Sequence, residues 1–418
     1  MEDDRWKKYK TKLLKNVGEA QIINPHHPFL YFLSNSSNYY ITKKVMVRDG
    51  FDPSFAQKYN MSSIHKNLLF SAGIAIKQSD RLELDSPANI LVDSGGFQIF
   101  SEERKGNTPP FTPTQIFEWQ IRNGEFLVVL DRPAKGEVSP SFLKNAALFT
   151  HKNTISLLNH LKREKKEYPL FYVFQLAMGR KEEYDVWFDI TTKSLNFEEV
   201  FYGVAISVWN FGDLPFLLTY HIKPIFYLLF DKKISFLHHI HYLPMLSKIS
   251  TLPYLSYAFY KLREEGYVDL VGGDNSTPIL LAGKGQVMIG EHTCLLAPKK
   301  NDALEESLPY YCHCPYCCYM KNNFTTWKEV FAYHGNIFYH YIAGHNLFAL
   351  NHKLANLWEK WKYDSNLQSS STFKAWQDLV DEAVSNQLGV ERFEELARKK
   401  LNYTPPSPKR EVKQGRLW

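Results

Sequence analysis

A chain of 418 residues, 44% hydrophobic, 15% aromatic and 22% charged, has enough apolar material for a large core and too little charge for disorder. Lys and Arg total 50 against 44 Asp and Glu, and the net charge of +6 permits a nucleic-acid partner without requiring one. Five cysteines exclude a disulfide framework, and the crowding of Cys312, Cys314, Cys317 and Cys318 points to metal.

The first residues, Met-Glu-Asp-Asp-Arg, place acids where a secretory signal needs a basic start and an apolar run, so a cytoplasmic protein is expected. Residues 1–60 are expected to lead into a main domain spanning 61–365. Within it, Ile90-Leu91-Val92 ends on Asp93, Phe126 to Leu130 ends on Asp131, and Leu170 to Phe174 ends on Gln175. Two more apolar runs, Val200 to Ile206 and Pro224 to Phe230, follow at similar intervals, and Tyr267 to Val271 precedes Asp274. The first three polar ends are roughly 40 residues apart, the size of a strand plus a crossover helix. Helical patterns fill the gaps at Thr114 to Arg122 and Ser141 to Lys165. Uninterrupted apolar runs suit strands buried on both faces beneath helices, so the expected fold is α/β with a parallel sheet, either a barrel or a doubly wound sheet, the number of strands being left open. In a barrel, Asp93, Asp131, Gln175 and Asp274 would share one mouth; taken singly, an Asp after a strand is ordinary turn or cap chemistry.

Val92-Asp93-Ser94-Gly95-Gly96-Phe97-Gln98 joins a carboxylate to a glycine turn that lets backbone amides approach a ligand. Cys312-His313-Cys314-Pro315-Tyr316-Cys317 sets three thiolates close enough for one tetrahedral metal. A fourth ligand can come from His345, His340, His334 or His313, and Cys318 can replace its neighbour. A closed four-ligand site is structural, so zinc is expected to staple a subdomain. Cys294 reads as an inert core thiol. The charge-free stretch from Val330 to His352 holds four histidines and three asparagines, which hydrocarbon would not accept, so no membrane partner is expected. Beyond 366 a helix near Ser371 to Leu396 is expected, then a basic, proline-containing tail that either stays solvated or contacts phosphate.

Together these motifs resemble the tRNA-guanine transglycosylases. Asp93-Ser94-Gly95-Gly96-Phe97-Gln98 is similar to that family's signature, and Cys312-x-Cys314-x2-Cys317 with Gly344-His345-Asn346 is similar to its zinc motif. The resemblance covers roughly residues 60 to 355. It implies a (β/α)8 barrel with an inserted zinc subdomain at about 300–352, held by Cys312, Cys314, Cys317 and His345. The implied activity is that of a pentosyltransferase, which exchanges a guanine base in a polynucleotide for a 7-deazaguanine. The family's nucleophile is an Asp with Pro four residues on and Gly-Gln further on; Asp274, with Pro278 and Gly285-Gln286, fits, and Asp269 is the second choice. Asp93 takes the general acid/base role. The Ser94-Gly95-Gly96-Phe97 turn, Asp131, Gln175 and the Gly203-Val204 backbone are the implied base contacts.

Departures bear on the substrate. Arg132-Pro133 stands where the family has Glu-Cys-Thr, and Ile279-Leu280 stands where the tRNA enzymes carry an anticodon-binding Arg. These features resemble the DNA-modifying branch, DpdA, which inserts preQ0-type bases into DNA. The expected partners are therefore DNA, or alternatively tRNA, and a 7-deazaguanine base. A second copy of the chain or accessory modification proteins are further candidates. The competing class is a non-catalytic nucleic-acid-binding subunit of the same fold, against which the retained carboxylates argue. Lys284, Lys299 and Lys300 are candidate phosphate contacts.

Overall fold

The short apolar segments of this chain pair side by side in sequence order. They are Phe29–Asn35 (β1), Asn67–Ser71 (β2), Asn89–Asp93 (β3), Phe126–Val128 (β4), Leu170–Phe174 (β5), Phe201–Ser207 (β6), Leu237–Leu243 (β7) and Val268–Asn275 (β8). Every pairing is parallel, and β8 returns to β1 with Phe29 opposite Val271 and Phe32 opposite Asp274, which closes an eight-stranded barrel. The computed structural model describes residues 4–35, 41–108, 110–133, 139–174, 179–207, 212–243, 249–289, 293–296, 312–332 and 336–402. Strands β2 and β5 are buried along their whole length, as strands sheathed by helices must be.

The main helices are Asp4–Lys15 (α1), Gly96–Arg104 (α2), Pro113–Asn123 (α3), Pro140–Glu164 (α4), Lys181–Thr191 (α5), Leu214–Phe226 (α6) and Leu252–Glu264 (α7). After β8 come Thr277–Gly283 (α8), Pro315–Asn323 (α9), Ile337–Glu359 (α10), Ser371–Ser385 (α11) and Val390–Leu401 (α12). Local chemistry sets their starts. Thr112 accepts the Gln115 N–H while the Gln115 side chain returns to the Thr112 N–H, a reciprocal cap reinforced by Pro113 in the first turn. Ser139 with Pro140, and Asp213 accepting from Phe216 N at 2.9 Å, begin α4 and α6 in the same manner.

Rings on non-adjacent strands meet inside the barrel: Phe171 of β5 and His239 of β7 lie 5.0 Å apart, and Phe32 of β1 and His241 of β7 lie 5.2 Å apart. His239 takes the room left by two glycines. A Cβ at Gly203 would stand 2.3 Å from the His239 carbonyl oxygen, and one at Gly272 would stand 3.1 Å from His239 Nε2.

Helix α1 closes the N-terminal end. Trp6 packs edge-on against Tyr202, Tyr9 packs against Phe126, Lys10 pairs with Asp269 at 2.6 Å, and Lys12 pairs with Glu125. Helices α11 and α12 lie against α7 and α6. Trp376 donates to the Tyr254 carbonyl at 2.7 Å, Phe393 meets Phe226 edge-to-face at 4.6 Å, and Glu394 pairs with the buried Lys223. Removing Glu394 would leave the buried Lys223 without a carboxylate, at a cost of about 3–5 kcal/mol, whereas Glu394 would keep Arg398 if Lys223 were removed.

Three expectations change. The barrel starts at Phe29, inside the segment expected only to lead into it, where the apolar run Phe29-Leu30-Tyr31-Phe32-Leu33 pairs with β2 and β8. The run from Pro224 to Phe230 is not a strand; it ends α6 and continues as a π turn, Tyr227–Asp231. The seventh strand is instead Leu237–Leu243, whose three histidines disguise it. The stretch from Ser371 to Leu396 is two helices, not one. The charge-free stretch from Val330 to His352 falls largely in α10, with His340, His345, Asn346 and Asn351 buried; among the described residues no helix is long and apolar enough to cross a membrane.

Candidate active site and metal centre

Asp93 ends β3 and Asp274 stands next to last in β8, so both lie at the C-terminal face of the barrel. Asp93 is half-buried and Asp274 is 5% exposed. The Asp93 carboxylate accepts the Gly95 N–H at 3.2 Å, and Ser94 Oγ accepts the Gly96 N–H at 3.2 Å. Desolvation pushes the Asp93 pKa up to about 6, and the neighbouring Asp274 charge adds to the rise; the Gly95 and Ser94 amides and the Ser71 hydroxyl act against it. The mouth thus carries one carboxylate, Asp93, whose proton affinity is raised by burial.

The two glycines after Ser94 are required by space. Gly95 has φ of 72°, and a Cβ there would stand 2.3 Å from Gly73 N; one at Gly96 would stand 2.5 Å from the Asp131 carbonyl oxygen and 3.1 Å from its Oδ1. That second contact brings Asp131, just beyond the end of β4, against the turn that follows Asp93. Gln120, buried on α3, donates to the carbonyls of Val92 at 3.3 Å and Val128 at 2.9 Å, joining β3 to β4 where their ladder gives out.

The other base-contact candidates fall elsewhere. Gly203 and Val204 lie in the interior of β6, paired with His239 and Ile240, rather than at its C-terminal end. Gln175 lies outside the described residues, as do the side chains of Phe97 and Cys294, residues Lys299 and Lys300, and the tail beyond 402. Lys284 is exposed at the end of α8. Asp269 sits at the opposite end of β8, bound to Lys10, with its carbonyl accepting from Arg263 at 2.9 Å.

The cysteine motif forms a four-ligand cluster. Cys312, Cys314 and Cys317 Sγ and His345 Nδ1 all lie within 4.8 Å of one another, close enough to hold a metal ion. Tetrahedral zinc with Zn–S of about 2.3 Å and Zn–N of about 2.05 Å requires S···S near 3.8 Å and S···N near 3.6 Å. The observed separations are 3.8 Å for Cys312–Cys317, and 3.3, 3.6 and 3.3 Å from His345 Nδ1 to Cys312, Cys314 and Cys317. His345 Nε2 donates to the Met288 carbonyl at 2.8 Å, which leaves Nδ1 as the lone-pair nitrogen. Against the effect of burial, the sulfurs of Cys312 and Cys317 raise His345 to about 10, while neighbouring thiols pull Cys312 down and push Cys314 up. Such opposed demands within one cluster are met together when a cation takes three thiolates and a neutral imidazole.

Each member of the Gly344-His345-Asn346 triplet has its own task. A Cβ at Gly344 would stand 2.2 Å from the Tyr316 ring, and Asn346 clamps Gln286–Ile289 (β9) by accepting from Met288 N at 2.8 Å and donating to the Gln286 carbonyl at 2.9 Å. Cys314 caps α9, its sulfur accepting the Cys317 N–H at 3.5 Å. The alternative ligands are engaged elsewhere or outside view. His340 Nε2 bonds Asp49 at 2.8 Å, Cys318 Sγ contacts the His313 carbonyl at 3.6 Å, and His334 lies outside the described residues.

Fold and site together define an eight-stranded parallel α/β barrel with aspartates at its mouth and a Cys3His cluster suited to a metal ion. No protein-family model and no curated protein matches the chain.

Proposed function

We propose that this protein is a pentosyltransferase that exchanges guanine in DNA for a 7-deazaguanine by double displacement. The observation that carries this reading is the pair of mouth aspartates, one of them lifted to a pKa of about 6 beside the other. Asp274 attacks C1′ of the target nucleotide and the C1′–N9 bond breaks. Its electron pair leaves on the base, and the Asp93 proton neutralises it. The incoming base returns a proton to Asp93, its nitrogen attacks C1′, and Asp274 departs as a carboxylate. Atoms and charge balance without an external reagent.

Asp131, pressed against the Gly95-Gly96 turn, supplies a carboxylate that can accept the adjacent N1–H and N2–H2 donors of guanine. The target base has to leave its stack to reach a barrel mouth, at a cost of a few kcal/mol that flanking contacts offset. Leu280, 44% exposed on α8 where the tRNA enzymes carry Arg, favours DNA over an anticodon loop. Zinc is the metal we assign to Cys312, Cys314, Cys317 and His345, in a structural role, because its bond lengths fit the donor spacing and four protein ligands leave no open position.

Labelled guanine, incubated with purified protein and either DNA or unmodified tRNA, tests the reading. The expected result is label in DNA, falling steeply as salt rises because phosphate contacts release counterions. Label in tRNA alone would move the substrate, and none in either polymer would favour the accessory-subunit reading.

A further inference from the structure

Strand β7 carries a pair of histidines that the proposed reaction does not yet use. His239 and His241 are both fully buried in the barrel interior, and neither ring nitrogen of either residue has a hydrogen-bond partner. Phe32 at 5.2 Å, Phe171 at 6.2 Å and His239 at 5.9 Å wall His241 in. Asp274 Oδ1 lies 3.5 Å from His241 Nε2, and that oxygen is itself buried without a hydrogen bond. Buried polar groups left unpaired are rare and costly, and two facing each other at the mouth invite a functional explanation. Hydrogen bonds of catalytic groups are often long before substrate binds and tighten in the complex.

We propose that His241 is the positioning residue of the nucleophile: its Nε2–H holds Oδ1 of Asp274, leaving Oδ2 to attack the sugar. This rests on the transglycosylase reading. It assigns the two oxygens different work. As the Oδ2–C1′ bond forms and the C1′–N9 pair departs on the base, Oδ1 becomes the carbonyl oxygen of an ester. When the incoming base attacks C1′, the electron pair of the O–C1′ bond returns to the carboxylate. A hydrogen bond to a carboxylate is stronger than one to an ester, so His241 favours the second displacement more than the first. Among the described residues, Asp93 and the buried Tyr31 also feel the charge of Asp274. Tyr31 does not compete for Oδ1, because its hydroxyl donates to the Asn275 carbonyl at 2.9 Å.

The test uses the full chain with His241→Leu and His241→Gln, the glutamine amide reaching the place of Nε2. After denaturing quench, the covalent protein–DNA adduct should break down about tenfold more slowly and accumulate in His241→Leu, the loss expected for one charge-assisted hydrogen bond. His241→Gln should restore turnover. Equal slowing of adduct formation and breakdown, or full activity in His241→Leu, would overturn the assignment. In substrate-free protein labelled with 15N-histidine, the His241 signal should shift on Asp274→Asn, and an unmoved signal would also overturn it. That shift together with no exchange or adduct in the wild-type chain would overturn the transglycosylase reading while leaving the His241–Asp274 contact standing.

Discussion

The two ends of the barrel treat their aspartates in opposite ways, and strand β8 shows both treatments within six residues. At the N-terminal end Asp269 is bound to Lys10, Glu125 to Lys12, and Trp6 and Tyr9 pack over Tyr202 and Phe126. At the C-terminal end Asp274 Oδ1 is buried without a hydrogen bond, and Asp93 is held at a proton affinity well above the ordinary carboxylate range. One end ties its aspartate to a lysine; at the other Asp274 Oδ1 has no hydrogen bond. Position along a strand, not residue type, decides which role an aspartate can take.

The largest expected effect comes from exchanging the roles by mutation. Asp274→Asn should lower exchange by on the order of 10⁴-fold or more while circular dichroism and metal content stay unchanged. Asp269→Asn should keep exchange within a few-fold and lower stability by about 1 kcal/mol or less, the scale of a part-exposed ion pair. The reverse outcome would place the nucleophile at the wrong end and break the contrast.

Metal removal comes next. Cys314→Ser or His345→Ala should lower bound zinc, measured by elemental analysis, and melting temperature together, because a closed four-ligand site contributes folding free energy. Since α8 follows Asp274 directly and packs on α10, exchange should fall with the metal. His345→Ala with metal content unchanged would assign the fourth ligand elsewhere.

A smaller effect follows from Asp93. Its pKa is raised from 3.8 to about 6, so the stability it contributes is fully present below 3.8 and is lost as pH rises through 6. Asp93→Asn should therefore melt higher than wild type at pH 7.5, by roughly 1 kcal/mol after allowing for its half-exposed position, while losing exchange. In wild type, adduct formation should slow as pH rises past 6 and adduct breakdown should quicken, since the first step needs the protonated acid and the second the carboxylate.

Legibility differed between the two ends and between the two sites. The three cysteines of the cluster were readable because one metal ion needs such a spacing, Cys312, Cys314 and Cys317 standing in one knuckle; spacing left His345 as one of several histidines, and its place in the resembled Gly-His-Asn triplet singled it out. Strands β3, β5 and β6 were readable as apolar runs. Strand β7 was not, because Leu-His-His-Ile-His-Tyr-Leu interrupts the run with polar rings whose burial only the closed barrel explains. The Pro224 to Phe230 run shows the opposite failure: a short buried helix end and a buried strand carry the same apolar pattern. Gln120 left a faint trace, a polar residue on the buried face of α3 beside Ile116, Phe117, Trp119 and Ile121. His241 left none, because nothing in its neighbourhood along the chain announces Asp274.

The most direct test locates the sugar. Protein quenched with acid during exchange and digested should yield a peptide whose added mass, by tandem mass spectrometry, maps to Asp274. A modification on Asp93, Asp131 or Asp269 would contradict the division of labour between the barrel's two ends.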